Sequence, residues 1–90
     1  MIPEELLAQV RQDAASVTGG DPAAVTIVRA ESVTWPDGAA GCPQPGMLYT
    51  EALVPGYWVV VESEGRTLDF RGGRRTGTLR LCENPPPGPG

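Results

Sequence analysis

The sequence predicts an α+β domain: one N-terminal amphipathic helix on a four-stranded, mainly antiparallel sheet, with a long Pro/Gly-rich loop between strands 1 and 2. Three observations predict it. Leu6, Leu7, Val10, Ala14 and Val17 recur at helical spacing. YWVVVE at 57–62 is aromatic and β-branched nearly throughout. Two short runs, RTLDFR and TLRLC, follow it across glycine-bearing segments that can reverse the chain.

The helix is read over 3–18. Pro3 suits its first turn, where a missing N–H leaves no bond unmade. Glu4 and Glu5 sit where the helix dipole favours negative charge. Gly19 and Gly20 can take positive φ and stop it, and Asp21 and Pro22 reverse the chain. Strand 1 is read over 24–34, AVTIVRAESVT. Val25 and Ile27 share one parity, but Arg29 and Glu31 fall on the same parity, whereas Val28 and Ala30 fall on the other. A bulge near Arg29 reconciles the halves, because one extra residue moves later side chains to the opposite face.

Strand 2 is 57–62, and SEGR turns the chain with Gly65 supplying any positive φ. Strand 3 is 66–71, with Leu68 and Phe70 inward. GGRRTG at 72–77 is a second turn. Strand 4 is 78–82, with Leu79 and Leu81 inward and Arg80 and Cys82 on the opposite face. The helix is expected across the face carrying Leu68, Phe70, Leu79 and Leu81. Residues 1–83 form a single domain, and 84–90 read as a disordered or polyproline tail, because proline cannot join a ladder.

Between strands 1 and 2 lies WPDGAAGCPQPG, 35–46. It holds three prolines, three glycines and Cys42. WPDG can form a tight turn, with Pro36 setting φ. Cys82 is the other of two cysteines in 90 residues. Two cysteines without histidine make no structural zinc site, and no CxxC spacing serves thiol exchange. A disulfide or two unrelated buried thiols remain, and the disulfide is favoured. Closing that loop would contribute about 4 kcal/mol in the chain-entropy model and would imply an oxidising compartment.

The chain has no histidine and no lysine. That removes the commonest general base, the Cys–His nucleophile, Schiff bases and the P-loop lysine. Glu62 and Glu64 are paired carboxylates, but they flank a turn. An enzyme is not expected, nor a cofactor or metal. The net charge of −4 argues against a nucleic-acid partner. Five of the seven arginines, Arg66, Arg71, Arg74, Arg75 and Arg80, share one window. They read as the outer face of a solvated hairpin, with an Arg-lined anion site at 71–80 as the alternative. No apolar run is long enough for membrane insertion. MIPEELLAQV lacks the basic and apolar regions of a signal peptide, so the chain is either cytoplasmic or a piece of an exported precursor. LDFRGG at 68–73 is similar to the ubiquitin tail, but it is internal, and a conjugation tail must be free.

The string VTWPDGAAGCPQPGMLYTEALVPGYWVVVE, 33–62, with the later Leu81–Cys82, resembles an uncharacterised family of small bacterial domains, many exported or lipid-anchored. The resemblance implies no known activity. It implies that Cys42 and Cys82 belong together and that the domain works outside the cytoplasm. Glu51–Gly56 leading into YWVVVE also faintly resembles the cystatin hairpin, which would imply peptidase inhibition by a wedge at 51–57.

The leading expectation is a binding module for a protein or peptide partner, acting through the 35–57 loop. Aromatic and Met side chains on loops are what interface hot spots use. The candidate contacts are Trp35, Met47, Leu48, Tyr49, Val54, Pro55 and Trp58. The competing reading makes the aromatics a second small core under the loop, with Trp35 and Tyr57 its first members.

Overall fold

A computed structural model describes residues 2–88; Met1, Pro89 and Gly90 lie outside the described residues, so the end of the predicted tail is not addressed. The helical stripe forms α1, Glu4–Thr18. Pro3 stands just before the helix as its N-cap, and its carbonyl accepts from the N–H groups of Leu6 and Leu7 at 3.1 and 3.3 Å. Gly19 ends α1 with φ +78°, and the N–H groups of Gly19 and Gly20 both reach the Ala15 carbonyl. Val17, counted in the apolar stripe, is largely exposed; Val10, Ala14 and Ala15 are the buried residues of α1.

A short 3₁₀ turn, Pro22–Ala24, follows, capped by the Asp21 carboxylate accepting from the Ala23 N–H at 2.9 Å. This turn delays β1 to Thr26–Trp35, two residues later than expected. The predicted bulge is present. The β1–β2 register shifts between Ile27 and Arg29, which leaves Val28 as the extra, exposed residue.

β2 runs Val54–Ser63, and its first three residues, Val54, Pro55 and Gly56, pair with Trp35, Thr34 and Val33. The sequence reading started this strand at Tyr57, because proline and glycine are poor strand residues. Pro55 is tolerated because it lies one step beyond Gly56↔Gly73, the last pair between β2 and β3. The turn to β3, Arg66–Gly73, uses positive φ at both Glu64 (51°) and Gly65 (77°). That is the primed two-residue hairpin whose twist matches the strands. β4 is only Arg80–Leu81, paired with Arg71 and Phe70, shorter than the expected 78–82. One further backbone bond, from the Cys82 N–H to the Asp69 carbonyl at 2.7 Å, extends its line.

The four strands lie in the order β1-β2-β3-β4, all antiparallel. Alternation along β2 and β3 then decides the two faces. Tyr57, Val59, Val61, Leu68 and Phe70 point to α1 and form the main core with Val10, Ala14, Val25 and Leu79. Tyr57 therefore belongs to the helix-side core, not to a core under the loop. The end of α1 is fastened to β2 by a 2.7 Å hydrogen bond between the Thr18 and Ser63 hydroxyls. Its side is fastened by the Arg11 guanidinium donating to the Val25 carbonyl at 2.8 Å. Trp58, Asp69 and Arg71 point the other way, and that outer face carries the loop. No described helix is long and apolar enough to cross a membrane.

Candidate functional site

The outer face is organised by one buried arginine. Arg71 on β3 stands directly opposite Trp58 on β2, and only 2% of its surface is exposed. A buried guanidinium is tolerable only if its charge and its donors are matched. Its Nε donates to Asp69 Oδ1 at 2.9 Å and one terminal nitrogen to Oδ2 at 3.3 Å, a two-pronged contact. The other terminal nitrogen donates to the Gly41 carbonyl at 2.7 Å, and a further bond goes to the Pro86 carbonyl at 2.7 Å. The guanidinium also lies over two indoles, 5.2 Å from the Trp35 ring and 5.0 Å from the Trp58 ring.

Each indole is in turn held by its N–H. Trp35 Nε1 donates to the Gly72 carbonyl at 3.2 Å, and Trp58 Nε1 to Asp69 Oδ1 at 3.1 Å. The two rings pack 6.1 Å apart at 57°, in the tilted range that aromatic pairs favour. Arg29 covers the outer side of Trp58 at 4.5 Å and is ion-paired with Glu31. Two glycines make room for Trp35. A Cβ at Gly41 would fall inside the indole, and one at Gly56 would come within 2.9 Å of it and into the Gly72 carbonyl.

The loop 36–53 is tied to this assembly. Cys42 and Cys82 form a disulfide with Cα atoms 5.7 Å apart, and both are buried. The disulfide favoured from sequence is therefore present. Ala40 and Gly41 take positive φ (51° and 81°), which turns the Gly41 carbonyl onto Arg71. The neck closes where the Gly38 N–H donates to the Thr50 carbonyl at 2.8 Å. Asp37 caps the first turn by accepting from the Ala39 N–H at 2.9 Å. Further out, the Gln44 N–H donates to the Tyr49 hydroxyl at 3.1 Å, and the Met47 N–H to the Gln44 carbonyl at 3.2 Å.

The predicted contact residues divide on this frame. Trp35 is buried at the centre and is an anchor of a second core, so it offers no surface to a partner. Trp58 is half-buried between two guanidinium groups, and Tyr49 is half-buried with its hydroxyl engaged. Val54 and Pro55 lie inside β2, so 54–56 is paired strand rather than a free wedge tip. Met47 is 57% exposed and Leu48 96%. Leu53, which the sequence reading passed over, is 70% exposed.

The arginine window also divides. Arg71 is the buried hub, while Arg66, Arg74, Arg75 and Arg80 are exposed. The signal for Arg71 was its outward parity beside Asp69, two residues earlier on the same strand. Among the described residues, no group of three or more His, Cys, Asp or Glu side chains could hold a metal ion.

Fold and site together define a small α+β domain whose outer-face loop is fastened by a disulfide and a buried arginine. The family model described as Domain of unknown function (DUF8738) matches residues 7–82, and the chain belongs to that family. No curated protein and no solved structure matches the chain.

Proposed function

We propose that this domain is a non-catalytic binding module that engages a protein partner through the tip of the 36–53 loop. The observation that carries it is Leu48, 96% exposed and flanked by Met47 on a loop fastened at its neck, at Cys42 and at Gly41. Leu53 adds a third exposed apolar side chain. Burying one such side chain against a partner contributes about 1.5–3 kcal/mol. A loop already held in place loses little further conformational freedom on binding. The partner surface that fits is an apolar pocket on a folded protein, wide enough for one or two aliphatic side chains. The Cys42–Cys82 bond supports placing this activity in an oxidising compartment outside the cytoplasm.

The test is site-specific photo-crosslinking from position 48 in cells that produce the protein. One adduct of discrete mass is expected, suppressed by excess unlabelled wild-type domain but not by a Met47→Ser/Leu48→Ser competitor. Equal suppression by both competitors, or no discrete adduct, overturns the reading.

A second reading, peptidase inhibition, draws support from one observation. The β1–β2 loop and the β3–β4 turn leave the same end of the sheet, where the Arg74 N–H donates to the Pro55 carbonyl at 2.8 Å. Two adjacent loops at one sheet end are an edge of the kind a peptidase cleft can accept. Titration against papain-like and serine peptidases decides it, and a flat response at micromolar domain ends it.

A further inference from the structure

Two exposed arginines at the loop end of the sheet, Arg75 and Arg80, share a groove. It has a volume of about 500 Å³ and runs between the 38–49 part of the loop, the 73–78 turn and β4. That size lies within the range of small-molecule sites. Arg75 and Arg80 line it from the turn and from β4, and Arg71 lies beneath. No aspartate or glutamate lines the groove, although the chain as a whole carries a net charge of −4. Arg71 has its partner in Asp69, whereas neither Arg75 nor Arg80 is in an ion pair among the described residues. Two unpaired cations in a concave, carboxylate-free setting concentrate positive potential there.

The remaining lining is of a different kind. Gly72 and Gly73 form the groove's floor; both are buried, and the space beside them is filled by Thr78, Leu79 and Val54. Ala39, Ala40, Val54 and the ring of Tyr49 supply an apolar side. Thr76 and Thr78 add hydroxyls, and the Thr76 hydroxyl is fixed by donating to the Gly73 carbonyl at 3.0 Å. A bare inorganic ion would use only the arginine side.

We infer that this groove binds a small organic anion, its oxyanion group held by Arg75 and Arg80 and its apolar body against Tyr49 and Val54. Guanidinium groups take carboxylate and phosphate alike, through paired N–H···O bonds. The oxyanion is thus either a phosphate monoester or a carboxylate. The site is separate from the loop tip and stands whether or not that tip meets a protein.

The experiment is a titration of the ¹⁵N-labelled domain at low salt with phenyl phosphate, with benzoate and with uncharged benzyl alcohol. Saturable amide shifts are expected at Gly72, Gly73, Thr76 and Thr78 with at least one anion and not with benzyl alcohol. The anion that binds more tightly identifies the source. Arg75→Ser/Arg80→Ser should weaken binding about tenfold or more, the loss expected for charge-assisted bonds. Arg66→Ser, at the β2–β3 turn, should leave it unchanged. The absence of saturable shifts with both anions overturns the site. So does an equal response to benzyl alcohol, or undiminished binding by the double arginine variant while its amide spectrum remains folded.

Discussion

The two faces of one sheet are held in opposite ways. Toward α1, the sheet presents Val59, Val61, Leu68 and Phe70 to Val10 and Ala14, an aliphatic and aromatic layer with little directional bonding. The outer face is organised by one guanidinium, two indoles, a carboxylate and three backbone carbonyls. The first kind of core tolerates exchange of shape for shape, because burial is non-directional. The second requires particular atoms, because an unmatched buried charge costs several kcal/mol. Both layers exist because a sheet of four strands has two faces, and among the described residues only one α-helix is there to cover them. The loop covers the other face, and polar glue compensates for a segment too rich in proline and glycine to bring a large apolar surface.

The largest expected effect tests the helix side. Phe70→Ala should lower the stability by about 3–5 kcal/mol, the range for truncating a fully buried aromatic. Urea unfolding followed by far-UV circular dichroism measures it, and helix and sheet should be lost together. Removing the disulfide by Cys42→Ser/Cys82→Ser comes next, at about 4 kcal/mol from the restored freedom of the unfolded chain. Here the comparison sharpens. The tryptophan signal should report the outer face loosening at lower urea than the far-UV signal.

Arg71→Lys follows, at about 2 kcal/mol. It keeps the charge but loses the planar fork that reaches Asp69, Gly41 and Pro86 together. If it costs no more than the volume-conserving Leu68→Met on the helix side, the two faces do not differ as described. The smallest effect is Leu48→Ser, within about 0.5 kcal/mol, because the side chain touches almost nothing. A larger loss in the urea midpoint would place Leu48 in the fold rather than at a contact surface.

This contrast explains which parts were legible in the sequence. Periodicity reports burial, so α1, the inward parity of Leu68 and Phe70, and the helix-covered face could be read. The conflict of parity around Arg29 even located the bulge, because a phase error in an alternating pattern has one physical cause. Periodicity says nothing about which particular atoms meet. Arg71 therefore read as one more solvated arginine, and Tyr57 and Trp35 were grouped although they lie on opposite faces. Val54–Gly56 was missed because propensity opposed it, while the pairing partners Val33, Thr34 and Trp35 were available only in three dimensions. Of the proposed contact residues, Met47 and Leu48 are exposed as a contact would require, while Trp35 is spent on holding the loop.

The disulfide also sets how this domain would bear a load. It closes a covalent ring from Cys42 to Cys82 that contains β2, β3 and β4, while α1 and β1 lie outside it. Pulled by its ends, the chain can peel away α1 and then β1. The 40-residue span within the ring cannot be drawn out until the bond is reduced. About 140 Å of contour length is thereby locked away, and single-molecule extension with and without reductant should differ by that amount. An oxidised domain would behave as a strap with a short free end, and a reduced one as a cord of nearly twice the reach.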